Sequence, residues 1–228
     1  MEEMSESNLT KEILLIDKPK GLTSFDVIRV LRRKLGLRKM GHSGTLDPLA
    51  TGLMLVGVGE GTKKLQSLIK LPKTYKASVL LGVRTVTGDL EGEALERKEV
   101  REIDVDKVKG VINGLEGKLS LKVPAYSAVK VKGKRLYKLA RLGRKVEPPV
   151  KEMEITKTRF VSLERARLAA KWEGDFYILK IVLDVASGTY IRSIAEEVGR
   201  RLGLPATLNE LRRTRIGEYR VEDAIRLD

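Results

Sequence analysis

The chain has 228 residues, 42% of them hydrophobic, enough for one well-buried domain or two small ones. It carries no cysteine and a single histidine, which excludes disulfides and thiolate metal sites and argues against zinc. With 45 Lys and Arg against 31 Asp and Glu the net charge is +14, an excess that points to a polyanion, whether RNA, DNA or a membrane surface.

Met1–Thr10 is polar and acidic and lacks the order of a signal peptide, so residues 1–11 are expected as a flexible tail and the compartment as cytoplasmic. No apolar run approaches the ~20 residues of a membrane-spanning helix. Glu12–Pro19 predicts a buried strand ending in a Lys-Pro turn. Ser24 is the expected cap of a helix with Phe25, Ile28, Leu31 and Leu35 at helical spacing, stopped by Gly36. Six basic residues and no acid lie between Arg29 and Lys39, either a solvated helix face or an RNA-facing ridge.

That ridge leads into the stretch from Gly41 to Gly52, which holds the only histidine, His42, and one carboxylate, Asp47. Pro48 pushes Asp47 toward extended backbone, and the glycines permit close approach to a ligand. Asp-Pro alone is usually a turn, but a carboxylate held this way can serve as nucleophile or general base.

Leu53–Val58 reads as a strand and Thr62–Lys70 as a short helix. The glycines around Gly57–Lys63 lack phosphate-loop spacing, so nucleotide hydrolysis is rejected. Lys73–Val83 predicts a strand, with Tyr75 either in the core or a platform for an unstacked base. Gly88–Glu93 reads as an acidic turn and Asp104–Leu115 as an amphipathic helix, a region expected to face away from phosphates.

Lys118–Lys151 contains eleven Lys and Arg and one acid, with Tyr126 and Tyr137 interleaved, which favours nucleic acid over an ordinary solvated face. Within it Lys130, Lys132, Lys134 and Arg135 belong to a predicted hairpin, followed by a short helix through Leu142. Glu152–Phe160 and Arg167–Val185 are strand-like, with a turn at Glu173-Gly174-Asp175. Ser187-Gly188-Thr189-Tyr190-Ile191-Arg192 opens a helix stopped by Gly203. Arg192 stands in its first turn against the helix dipole, which suggests a local anion. Thr207–Arg220 alternates weakly, and Val221–Leu227 is expected as a terminal helix.

The string Gly41-His42-Ser43-Gly44-Thr45-Leu46-Asp47-Pro48-Leu49-Ala50-Thr51-Gly52 resembles the TruB tRNA pseudouridine synthase signature G-H-x-G-x-L-D-P-x-A-T-G at every fixed position. The basic stretch and the S-G-T-Y-I-R string resemble two further segments of that family. Periodicity by itself supports only α/β or α+β. The resemblance implies a pseudouridine synthase fold over residues 12–228, a mixed, largely antiparallel sheet with flanking helices and a central catalytic cleft. The C-terminal PUA module that many members of that family carry is not expected within these residues.

The implied reaction converts the T-loop uridine of tRNA, position 55, to pseudouridine, with no cofactor or metal. The base flips into the site, since it is out of reach while stacked. Asp47 is the implied catalytic residue, attacking C1′ or the ring or taking a proton from C2′. Arg192 is its implied partner, and Tyr75 stacks on the base and assists proton transfer. His42 props the vacated space, Tyr190 and Leu211 line the uracil site, and Lys20, Lys130, Lys132, Lys134, Arg135 and Arg212 meet the RNA backbone. The expected protein is a monomer with tRNA as partner and no obligatory protein partner. A non-catalytic tRNA-binding or folding protein and the catalytic subunit of a guide-RNA particle are the alternatives.

Overall fold

The computed structural model describes residues 12–144, 146–168 and 174–227; the expected tail, 1–11, and the strand and turn positions expected at 169–173 lie outside them. In chain order the elements are β1 (Ile13–Lys18), α1 (Ser24–Leu35), β2 (Met40–His42), β3 (Thr51–Val58), a 3₁₀ turn at Gly59–Lys64, α2 (Leu65–Ile69), β4 (Lys73–Leu81), β5 (Val83–Thr85), β6 (Ala94–Arg97), α3 (Val105–Asn113) and β7 (Gly117–Lys122). There follow β8 (Lys130–Val131), β9 (Lys134–Arg135), α4 (Leu136–Arg141), β10 (Val150–Leu168), β11 (Gly174–Val185), α5 (Ile191–Leu202), β12 (Ala206–Ile216), β13 (Tyr219–Arg220) and β14 (Ile225–Arg226). The chain forms two compact units, one made of the residues up to Lys76 together with those from Leu211 onward, the other of Ala77–Glu210. No helix among the described residues is long and apolar enough to cross a membrane.

The first unit is built on β3. Its continuous apolar run Leu53-Met54-Leu55-Val56 is fully buried, as a strand covered on both faces must be. β1 lies antiparallel along one edge, from Ile13 opposite Gly57 to Lys18 opposite Gly52. The other edge is shared: β12 pairs in parallel at Thr51 and Gly52, and β2 pairs antiparallel at Val56–Val58. β14 adds in parallel to β1. The sheet is therefore mixed, and the Asp47 loop springs from the edge where β2 stops and β12 begins.

α1 packs Val27, Ile28 and Leu31 inward, each at most 1% exposed. Burying such a side chain contributes roughly 1.5–3 kcal/mol. Its cap is Thr23 rather than the expected Ser24: Thr23 Oγ1 accepts from Asp26 N, and the Asp26 carboxylate accepts from Thr23 N at 2.8 Å, a reciprocal capping box. Ser24 is thereby freed for another task. Gly36 ends the helix as expected, in left-handed backbone.

In the second unit β4, β11, β10 and β7 lie in that order. β10 runs far beyond the expected Glu152–Phe160, pairing antiparallel with β11 from Ile155 opposite Val185 to Leu168 opposite Gly174. Two register shifts, at Ile155/Lys157 and Phe160/Ser162, blur its alternation. Thr158 Oγ1 donates to Ile112 O at 3.1 Å, tying the end of α3 to β10. Ser193 Oγ donates to Lys122 O at 2.7 Å, tying α5 to β7. The expected terminal helix over Val221–Leu227 is instead a 3₁₀ turn, Val221–Asp223, followed by β14. Seven residues are too few to nucleate a helix when β1 offers an unpaired edge.

Candidate active site

The loop between β2 and β3 is anchored through its own main chain. Ser43 N donates to Leu55 O at 2.9 Å, and Ala50 N donates to Asp47 O at 3.0 Å, closing a turn around Asp-Pro. Ser24 Oγ accepts from Leu46 N at 2.9 Å and donates to Leu46 O at 3.2 Å. On the other side of Asp47, Gly21 N donates to Pro48 O at 2.8 Å.

Two buried cations complete the anchorage. Lys18 is 0% exposed, and its Nζ donates to the carbonyls of Pro19, Leu22 and Pro48 at 2.9, 2.6 and 3.3 Å. Arg213 is 1% exposed; its Nε donates to Leu53 O at 2.7 Å and its Nη2 to Gly44 O at 3.2 Å. One guanidinium thus brackets the stretch that contains Asp47. Among the described residues Arg213 pairs with no carboxylate, and its cost of burial is met by carbonyl dipoles. The Asp47 side chain stays half-buried.

The neighbouring side chains feel that charge. His42 is half-buried and its Nδ1 accepts from Gly44 N at 3.4 Å. Burial first, and then Arg213, push its imidazole below the ordinary value, so the ring favours its neutral form. Lys73, 7% exposed, donates to the carbonyls of Ile69 and Leu71, both at 2.5 Å. Burial and then Arg213 bring its ammonium down to about 8. Tyr75, two residues along β4 on the same buried face, is 7% exposed.

Leu211 is buried, and its carbonyl accepts from Thr51 Oγ1 at 3.5 Å. Arg212, expected at the RNA backbone, forms a bidentate pair with Asp17 at 3.0 and 2.7 Å. Lys20 is exposed. The first unit thus gathers His42, Leu211 and Arg212 around the edges of the loop that carries Asp47.

The second unit holds the other expected residues. Arg192 is 6% exposed, with Nη1 donating to Thr87 O at 2.8 Å and Nη2 to Tyr126 O at 3.0 Å. The anion suggested by its position at the start of α5 includes a residue the sequence did not single out: the Asp89 carboxylate, 3.8 Å from Nη1. Asp89 is 3% exposed and accepts from Thr87 Oγ1 at 2.5 Å and Glu91 N at 3.1 Å. Tyr190 packs against the cluster of Val123, Leu136 and Met153 at the root of the basic segment. Lys130, Lys132, Lys134 and Arg135 form the expected hairpin and are exposed, none paired with a carboxylate among the described residues. Lys132 and Gly133 both take positive φ, 49° and 78°, which a two-residue hairpin turn needs.

Sequence reasoning missed Lys18, Arg213, Asp89 and the second role of Ser24. The only signal for Lys18 was its place before Pro19 at the end of an apolar strand.

Residues 32–191 match the family model described as TruB family pseudouridylate synthase, N terminal domain. The chain is 43% identical over 216 residues to a protein named tRNA pseudouridine synthase B from Thermobifida fusca, covering 95% of this chain and 73% of that one. It is 42% identical to the protein of the same name from Aquifex aeolicus, covering 94% and 71%. The same-named protein of Endomicrobium trichonymphae is 39% identical, with 98% and 93% covered. Among solved structures, one titled as a Cbf5-Nop10-Gar1 complex matches with a TM-score of 0.70 and 27% identity, over 97% of this chain and 54% of that one. The chain therefore spans little more than half of that structural neighbour.

The mixed, mostly antiparallel sheet is the fold of its pseudouridine synthase neighbours, and the family match makes the chain a pseudouridine synthase, an isomerase. With the family model matching more than half of the chain and relatives above 40% identity, the chain belongs to the TruB family of pseudouridylate synthases.

Proposed function

We propose that this protein isomerises the T-loop uridine of tRNA, position 55, to pseudouridine, with Asp47 as the catalytic carboxylate. The observation that carries the reading is the anchorage of the loop: Lys18, Gly21, Ser24 and Arg213 fix the main chain on both sides of one half-buried aspartate. Such preorganisation is what a positioned nucleophile or base requires. The names of the curated relatives support tRNA as the substrate.

In the reaction the N1–C1′ bond of the uridine breaks, the freed uracil turns, and a C5–C1′ bond forms. The C5 proton leaves and N1 ends protonated, so composition is unchanged. Asp47 attacks C1′ or the ring, or takes the C2′ proton; the three routes stay open. By its motif Arg192 is the cation that keeps Asp47 ionised and aimed. Tyr75 stacks on the flipped base and assists transfer of the C5 proton. His42 props the space the base vacates, and Tyr190 and Leu211 line the uracil site. Lys20, Lys130, Lys132, Lys134 and Arg135 meet phosphates, and Arg212 does so in exchange for Asp17. The protein works as a monomer in the cytoplasm without an obligatory protein partner.

The test is pseudouridine formation in an unmodified tRNA transcript by wild type and Asp47→Asn at matched binding. Conversion by wild type alone upholds the reading. Activity in both proteins means another carboxylate reacts. Binding without conversion by wild type supports an RNA-folding role. Conversion only after partner proteins and a guide RNA are added supports the reading as catalytic subunit of a guide-RNA particle.

A further inference from the structure

The inner face of α1 is complete without Phe25: Ser24, Val27, Ile28 and Leu31 fill it, while Phe25 is 57% exposed. A single exposed aromatic needs no explanation by itself. This one is held. The guanidinium carbons of Arg29 and Arg32 lie 5.8 and 5.9 Å from its ring centroid. Each arginine is itself anchored, Arg29 to the Asp26 carboxylate and Arg32 to Met40 O at 3.3 Å, just before His42. The ring is therefore pre-ordered, with surface left open to solvent.

Its place matters as much as its exposure. Phe25 follows Ser24, whose hydroxyl exchanges two hydrogen bonds with Leu46, the residue before Asp47. Exposed Lys20 precedes Gly21, whose amide holds Pro48 O on the other side of Asp47. Beyond Arg29 the helix and its exit continue with exposed Arg33, Lys34 and Arg38, with no acid between Arg29 and Lys39. An aromatic face and a row of cations thus start at the two anchor points of the Asp47 loop.

We propose that Phe25, steadied by Arg29 and Arg32, is a stacking platform for an unpaired nucleobase of the substrate RNA, distinct from the reacting uridine, with Lys20 and Arg33 meeting the adjoining phosphates. The inference rests on the RNA-modifying reading above. Unpaired bases are gripped by aromatic faces flanked by arginine, and the contribution of such stacking does not depend on sequence.

The experiment measures the Kd of an unmodified tRNA transcript for wild type and for Phe25→Ala, Phe25→Leu and Phe25→Trp across a salt series. Phe25 is largely exposed, so unfolding midpoints are expected to match and serve as the folding control. Phe25→Ala and Phe25→Leu are expected to weaken binding about tenfold, and Phe25→Trp to bind at least as well as wild type. The slope of log K against log salt is expected to stay unchanged in all three, because no charge is removed, and to fall by about one in Lys20→Gln or Arg33→Gln. Retention of binding in Phe25→Leu with loss in Phe25→Ala makes the contact apolar and overturns stacking. Wild-type affinity in Phe25→Ala overturns the platform while leaving the proposed function standing. Failure of wild type to bind the transcript overturns both.

Discussion

Gly52→Ala tests how the Asp47 loop joins its sheet. Gly52 has φ of 104°, and a Cβ there would lie 2.2 Å from the Arg213 carbonyl oxygen and 2.8 Å from the Arg213 nitrogen. Both obstacles are main chain, so no side chain can turn aside. An L-residue held at strained, positive φ costs about 1–3 kcal/mol. Overpacking against an unyielding wall costs about 1–3 kcal/mol more. The β3–β12 pairing at Thr51 and Gly52 has to open by roughly an ångström, taking Arg213 away from Leu53 O and Gly44 O. The expected loss is about 4 kcal/mol, and at 2–4 °C per kcal/mol for a chain of this size the unfolding midpoint drops about 8–16 °C. The assay is thermal unfolding by circular dichroism, with single-turnover pseudouridine formation measured well below the midpoint. A midpoint shift under about 2 °C refutes the steric argument.

His42 is the only histidine, so its ring gives one resolvable proton-NMR titration; the expected midpoint lies below 6.5, and in Arg213→Met it moves up, because Arg213 is the second cause of the depression. A midpoint at or above 6.5 in wild type contradicts the burial argument. Lys73 carries a folded-state value of about 8 against an ordinary 10.5, so between these the unfolded chain binds more protons and stability rises with pH. The unfolding free energy of wild type is therefore expected to gain on that of Lys73→Met between about pH 8 and pH 10; parallel curves in urea titrations exclude the assignment. Asp89→Asn removes the carboxylate that lies 3.8 Å from the buried Arg192 guanidinium, and a loss of about 3 kcal/mol in denaturant unfolding is expected, with under 1 kcal/mol showing that the pair is unimportant. Changing Lys130, Lys132, Lys134 and Arg135 together to Gln should flatten the salt dependence of tRNA binding by about three in slope, and an unaltered slope removes that hairpin from the interface.

Much of this was open to reading from the residues. α1 announced itself by helical spacing and a glycine stop, and β3 by an unbroken apolar run after a glycine-rich loop. The hairpin at Lys130–Arg135 followed from Lys-Gly between short basic arms. What escaped was non-local. β10 was legible only in its first half, since the register shift between Phe160 and Ser162 interrupts the period-two pattern where that reading ends. The end of the chain looked helical because nothing local says that Ile225 and Arg226 pair with Ile16 and Asp17. Nothing in the sequence set Lys18 and Arg213 apart, because composition treats every lysine and arginine as solvated. Their true partners are carbonyl oxygens, which every residue possesses and which no sequence pattern marks.

That last point bears on how such a loop can change over generations. Lys18, Ser24, Gly21 and Arg213 grip Pro48, Leu46, Gly44 and Leu53 by peptide groups alone. A clasp on the peptide group is blind to what hangs from it. Side chains such as Thr45 are therefore free to drift, altering what the loop presents to RNA without loosening the hold on Asp47. The inheritance that must stay constant lies instead in the four residues doing the holding, all of them far from the loop in sequence and three of them hidden from solvent.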